Sequence, residues 1–170
     1  MLFSSDVRSM QPPSQANVLV LFVYGTLKCG FDNHGGFCDG ALQIEDATVY
    51  GDLYDLPFGF PALVVPEATV EAIGTTDPNL DVATQHRLSR SPPHHSQNRG
   101  PRAFGELLTF NDPGDRLPKL DHLEGFDPDG RSLYRRILVP VETANLTTLA
   151  WTYAIKEPTG THLPDGRWPS

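Results

Sequence analysis

The residue best suited to moving a proton is Glu124, in the stretch Leu120-Asp121-His122-Leu123-Glu124-Gly125-Phe126. Leu117, Leu120 and Leu123 fall at i, i+3 and i+6, the apolar stripe of a short helix that Gly125 can end. Glu124 sits beside that stripe at the helix end. Partial desolvation there raises a carboxyl pKa and suits a general base. The commoner arrangement for a lone glutamate is a solvated helix end. Asp121 and His122 fall on the outer face and are expected in solvent.

A second candidate is the loop Tyr24-Gly25-Thr26-Leu27. It follows Val18 to Tyr24, a continuous run rich in β-branched residues that reads as a strand covered on both faces. Gly25, Gly30, Gly35, Gly36 and Gly40 come in quick succession after it, so a central strand empties into a glycine-rich loop. Such a loop offers several amide N–H groups that can converge on a carboxylate or a developing oxyanion. The alternative is a strand-ending turn in which Gly25 only supplies an unusual φ.

Other constellations carry less. Cys29 and Cys38 are separated by eight residues, which does not match the close Cys pairs of zinc sites. With His34 nearby and His94 and His95 far off, they read as incidental thiols, and no metal is expected. The arginines Arg87 to Arg102, Arg131, Arg135 and Arg136 suit salt bridges and loop solvation in an acidic protein. The chain contains no Walker-type loop, G-x-G-x-x-G fingerprint or G-x-S-x-G elbow.

These candidates need elements to position them, and 170 residues fit one domain. The formal net charge of −8 argues against a general nucleic-acid binder, which needs basic surface to displace counterions. The longest apolar run is far short of the roughly 20 residues that cross a bilayer, and no signal-peptide pattern precedes it. A soluble, cytoplasmic monomer with no membrane or nucleic-acid partner is expected. Residues 1–16 read as a flexible lead-in, and 17–170 as a single domain. Within it, 72–103 has no aromatic residue and almost no hydrophobic periodicity, and reads as a surface insertion, partly disordered. Strands are expected at 48–56, 62–65, 104–110, 133–142 and 149–155, with the last two in a hairpin. Without a repeating strand–helix alternation, the fold class is α+β: a curled, mixed but largely antiparallel sheet or small barrel with one or two short helices.

Taken together, the segments resemble the γ-glutamylcyclotransferase-like family, which includes the γ-glutamylamine cyclotransferases and plant AIG2-like proteins. Val20 to Gly30 is similar to its opening strand and Y-G-[ST]-L loop, with Asn33-His34 following. Gly51 to Leu56, Phe60 to Val64, Gly105 to Leu108, Leu120 to Phe126, Tyr134-Arg135-Arg136, Ala150 to Tyr153 and Gly166-Arg167-Trp168 resemble the later segments, in family order. The segment 72–103 is longer than the usual connection, and Asn145 to Thr148 lacks the glycine often found in that turn.

The resemblance implies a cofactor-independent acyl transfer, a lyase in outcome. The α-amine of a γ-glutamyl amine or peptide attacks its own γ-carbonyl, closing 5-oxoproline and freeing an amine or amino acid. Nucleophile and electrophile share one molecule, so proximity is built in. By resemblance Glu124 is the base, the amides of Gly25, Thr26 and Leu27 hold the glutamyl group, Tyr24 is a wall and Tyr134 a pocket residue. A free Glu near pKa ~4.3 facing an amine near ~8 is mismatched by about 3.7 units, roughly 5 kcal/mol. A base in this role is therefore expected to have a raised pKa. The rival expectation is a non-catalytic small-ligand binder on the same fold.

Overall fold

The computed structural model describes residues 17–91 and 100–169. The lead-in 1–16 and the stretch 92–99, with His94, His95 and Arg99, lie outside the described residues. The apolar run at the start forms β1 (Leu19–Val23), followed by the short α1 (His34–Phe37) and the long β2 (Gln43–Tyr50). The single strand expected over 48–56 is two: Gly51 separates β2 from β3 (Asp52–Asp55), and the chain passes into a second sheet there. β4 (Pro61–Val64), β5 (Ala72–Ile73) and α2 (Pro78–Ser89) follow. The second half holds β6 (Arg102–Phe110), α3 (Pro113–Glu124), β7 (Arg135–Glu142), β8 (Thr147–Ala154) and β9 (Thr161–Leu163).

The main sheet runs β2-β6-β1-β8-β7 and closes on itself, because Thr48 and Val49 of β2 also pair with Glu142 and Val141 of β7. The result is a small five-stranded barrel, antiparallel except where β1 meets β8 at Leu21 and Trp151. β5 extends it along the first half of β7, and β4-β3-β9 form a separate three-stranded sheet. Side-chain alternation sorts the strands into two cores. Phe22, Val49, Leu107, Val139 and Ala150, one from each barrel strand, pack together inside. Leu21, Leu108, Leu138 and Trp151 face the other way, against Val82 of α2 and Leu117 and Leu120 of α3. No described helix is long and apolar enough to cross a membrane.

The segment read as a partly disordered surface insertion departs most from that reading. It contributes β5 and the three-turn helix α2, whose Asp81, Val82 and Gln85 are buried. Two of those three are polar, so the buried face leaves no hydrophobic period to detect. Gln85 accepts from the Val20 amide at 3.0 Å and donates to the Val18 carbonyl at 3.1 Å, holding the start of β1 and the residue before it. A start signal was present: Asp77 caps the helix through the amides of Asn79 (3.0 Å) and Leu80 (3.2 Å), and Pro78 occupies its first turn.

Candidate active site

β1 delivers Tyr24 and the glycine loop to one end of the barrel, where the loop is held in shape by its own backbone and by two side chains. The Lys28 amide closes a turn on the Gly25 carbonyl at 3.1 Å. Asn33 donates twice to Thr26, from its amide to the carbonyl (3.2 Å) and from Nδ2 to Oγ1 (2.8 Å). His34 Nδ1 lies 2.8 Å from the Leu27 carbonyl, so this histidine braces the loop. Gly25 has no positive φ. It is glycine because a Cβ would stand 2.8 Å from Pro61 Cγ, closer than packing allows.

The loop forms one wall of a cavity of about 490 Å³. Opposite it is the C-terminal end of α3. Gly125 ends the helix in the left-handed conformation (φ 64°), with its amide and that of Phe126 turned back to the helix carbonyls of His122 and Asp121. That stop places Glu124, partly buried, on the cavity wall. Burial pushes its carboxyl from the ordinary 4.5 up to about 7, and among the described residues no hydrogen bond or cation offsets the shift. Tyr24, Tyr134 and Tyr153 complete the polar part of the lining. Tyr24 donates to the Tyr153 carbonyl (2.6 Å) and accepts from the Leu63 amide (3.2 Å), which ties β1 to β4 and β8. Tyr134 donates to the Pro61 carbonyl at 2.8 Å. Burial first, then the neighbouring ionisable groups, Glu124 among them, hold the Tyr24 and Tyr134 phenols above their usual range, so both stay protonated.

All six residues singled out from the sequence — Tyr24, Gly25, Thr26, Leu27, Glu124 and Tyr134 — therefore line one cavity. Sequence reasoning did not assign Tyr153, Phe60, Pro61, Leu123 or Leu133 to the site: Leu123 and Leu133 adjoin residues it did assign, and Phe60, Pro61 and Tyr153 reach the cavity from two further segments.

The expectation for Asp121 is corrected. It is not a solvated outer-face residue: it accepts from Arg136 Nε (2.8 Å) and Nη2 (3.2 Å) and from the Tyr153 hydroxyl (2.7 Å). Arg136 is fully buried and also bonds Asp81 at 2.9 Å and the Thr75 carbonyl at 2.8 Å. Burial alone would lower the Arg136 pKa, but the bonds and charges of Asp121 and Asp81 raise it overall. This network joins α2, α3, β7 and β8 directly behind the cavity. Cys38 is buried and its thiol is pushed up to about 12, a poor nucleophile or ligand, while Cys29 is exposed. Among the described residues no group of three His, Cys, Asp or Glu is placed to hold a metal ion.

The structure is thus a small mixed barrel of the α+β class, with a braced glycine loop facing the lifted Glu124 carboxyl across one cavity. The family model described as gamma-glutamyl cyclotransferase, AIG2-like matches residues 21–90 and 78–170, and the chain belongs to that family. It is 28% identical over 135 residues to the gamma-L-glutamyl-butirosin B gamma-glutamyl cyclotransferase of Niallia circulans, covering 78% of this chain. The chain spans 64% of that relative's length. Among solved structures, the fold is similar to YkqA of Bacillus subtilis, with a TM-score of 0.55 at 21% identity over 89% of this chain and 39% of that one. It is also similar to an AIG2-like protein of Mus musculus, with a TM-score of 0.53 at 19% identity over 84% and 80% of the two chains.

Proposed function

We propose that this protein catalyses the γ-glutamyl cyclotransferase reaction: it converts a γ-glutamyl amine or peptide into 5-oxoproline and a free amine or amino acid. The observation that carries the reading is Glu124, a partly buried carboxyl with its pKa near 7, facing the loop amides across one cavity. The amides of Gly25, Thr26 and Leu27 receive the glutamyl group and the developing oxyanion. Tyr24, with its hydroxyl already engaged, acts as a rigid wall.

Glu124 takes a proton from the substrate's α-ammonium. The freed nitrogen attacks the γ-carbonyl carbon, forming the ring C–N bond and moving the carbonyl electrons onto oxygen. Collapse of that oxyanion breaks the γ C–N bond. Through Glu124 two protons pass in all from the attacking to the leaving nitrogen, and the carboxylate ends as it began. Against an α-amine near ~8, a base near 7 leaves a mismatch of about one unit, roughly 1.4 kcal/mol. An unshifted glutamate would leave roughly 5 kcal/mol.

The test is 5-oxoproline release from glutathione, a γ-glutamyl dipeptide, γ-glutamyl-ε-lysine and the carboxylate-free γ-glutamylmethylamide, with wild type and Glu124→Gln side by side. Release by the wild type and a loss of about 10²–10⁴-fold in the variant are expected. Release from none of them, or release undiminished in the variant, overturns the reading.

A further inference from the structure

The cavity's outer side differs in chemistry from its inner side. The tight turn after β3 is pinned by the Leu56 amide on the Phe60 carbonyl (3.0 Å) and the Gly59 amide on the Leu56 carbonyl (3.2 Å). It presents Phe58 and Phe60 with ring centroids 6.0 Å apart and planes 23° from parallel. Phe58 is 79% exposed and Phe60 37%, and Leu133, from the segment before β7, is 56% exposed. Phe60 and Leu133 both line the cavity, so these apolar surfaces continue its wall outward to the solvent. Large exposed apolar groups at the mouth of a pocket mark a surface that something covers. Among the described residues the lining contains no Lys, Arg or His, and its one carboxyl is Glu124.

We propose that the leaving-group side of this site accepts an apolar amine that carries no carboxylate, seated on a shelf made by Phe58, Phe60 and Leu133. The inference rests on the cyclotransferase reading and names the substrate class for it. The loop amides serve one anionic end of the substrate, its glutamyl part. A second carboxylate, as on a peptide leaving group, would enter a mouth with no cationic side chain among the described residues of its lining, and beside the Glu124 charge. It would be desolvated there without a partner. An aromatic or aliphatic amine instead removes the ring faces and the Leu133 side chain from water.

The experiment compares γ-glutamylbenzylamide, γ-glutamylmethylamide, γ-glutamylphenylalanine and γ-glutamylglycine by kcat and KM for 5-oxoproline release. The benzylamide is expected to exceed the methylamide and γ-glutamylphenylalanine by about tenfold or more in kcat/KM. The difference should lie mainly in KM. A Phe58→Ser/Phe60→Ser variant, shown folded by circular dichroism, should bring the benzylamide-to-methylamide ratio close to one. Equal rates for all four compounds, or a preference for the carboxylate-bearing pair, overturns the proposal. So does an unchanged ratio in the variant, and a shift in its oligomeric state would then assign the shelf to a second copy of the chain. Calorimetric binding of the benzylamide and methylamide to Glu124→Gln needs no turnover. If none of the compounds is turned over, the cyclotransferase reading fails while a tenfold tighter benzylamide still supports the shelf, and equal affinities reject it.

Discussion

Asp121 and Glu124 stand three residues apart near the end of α3, one turn of the same helix, and the fold treats them oppositely. Asp121 receives two bonds from the buried Arg136 and one from Tyr153, so its charge is matched by a cation and its oxygens by donors. Glu124 is drawn from water without either, and its proton affinity rises until it titrates near neutrality. Burial with a partner makes a structural carboxylate that fastens α3 to β7. Burial without one lifts a carboxyl toward neutrality, as the proposed base requires. The two cannot be exchanged, because Arg136 reaches only one of them.

That contrast can be broken from either side. The largest effect is on the unpartnered side: Glu124→Gln keeps the shape and removes the base, and kcat for 5-oxoproline release is expected to fall by about 10²–10⁴-fold with the fold intact by circular dichroism. On the partnered side, Arg136→Met leaves Asp81 and Asp121 without their shared cation. Urea denaturation should show a loss of about 3–5 kcal/mol, and a loss below about 1 kcal/mol would mean that the network holds little together.

The third prediction sharpens the comparison through pH. Glu124 has a higher pKa folded than unfolded, so between pH 4.5 and about 7 the folded protein binds more protons than the unfolded chain. Its contribution to stability is therefore fully present below that window and is lost as the pH rises through it, up to about 3 kcal/mol in all. Glu124→Gln should flatten that part of the stability–pH curve and exceed wild type in stability at pH 8. The same titration requires kcat/KM of the wild type to rise as Glu124 deprotonates, with its acid limb near pH 7. A limb near pH 4.5 would show a base of ordinary affinity. The smallest effect belongs to Tyr153→Phe, which removes one of the three donors to Asp121 and should cost about 1–2 kcal/mol in denaturation, since Arg136 still holds the carboxylate.

Much of this was legible along the chain where the signal is local. β1 announced itself as an uninterrupted apolar run, α3 by its leucine stripe and glycine stop, and the glycine loop by its place directly after a buried strand. α2 was not legible as a helix from hydrophobic pattern, because Asp81 and Gln85 are buried for the hydrogen bonds and ion pair they make rather than for apolar area. β9 is three residues long, too short for any alternation to register. The alternative that Gly25 supplies an unusual φ does not hold, and the reason for a glycine there lies in Pro61, a residue that no spacing rule connects to it.

The amino-acid sequence by itself determined which residues have the chemistry to act and which local elements carry them, because strand alternation, helix stripes and chain stops are interactions between near neighbours. Only the tertiary structure decided that the loop after β1 and the end of α3 face each other across a cavity, since barrel closure brings distant segments together. It also decided which of two neighbouring carboxylates is paired and which is lifted by burial, the one proposed as the base. A pKa depends on what surrounds a group in space, and Arg136 arrives at Asp121 from β7, leaving Glu124 with burial alone.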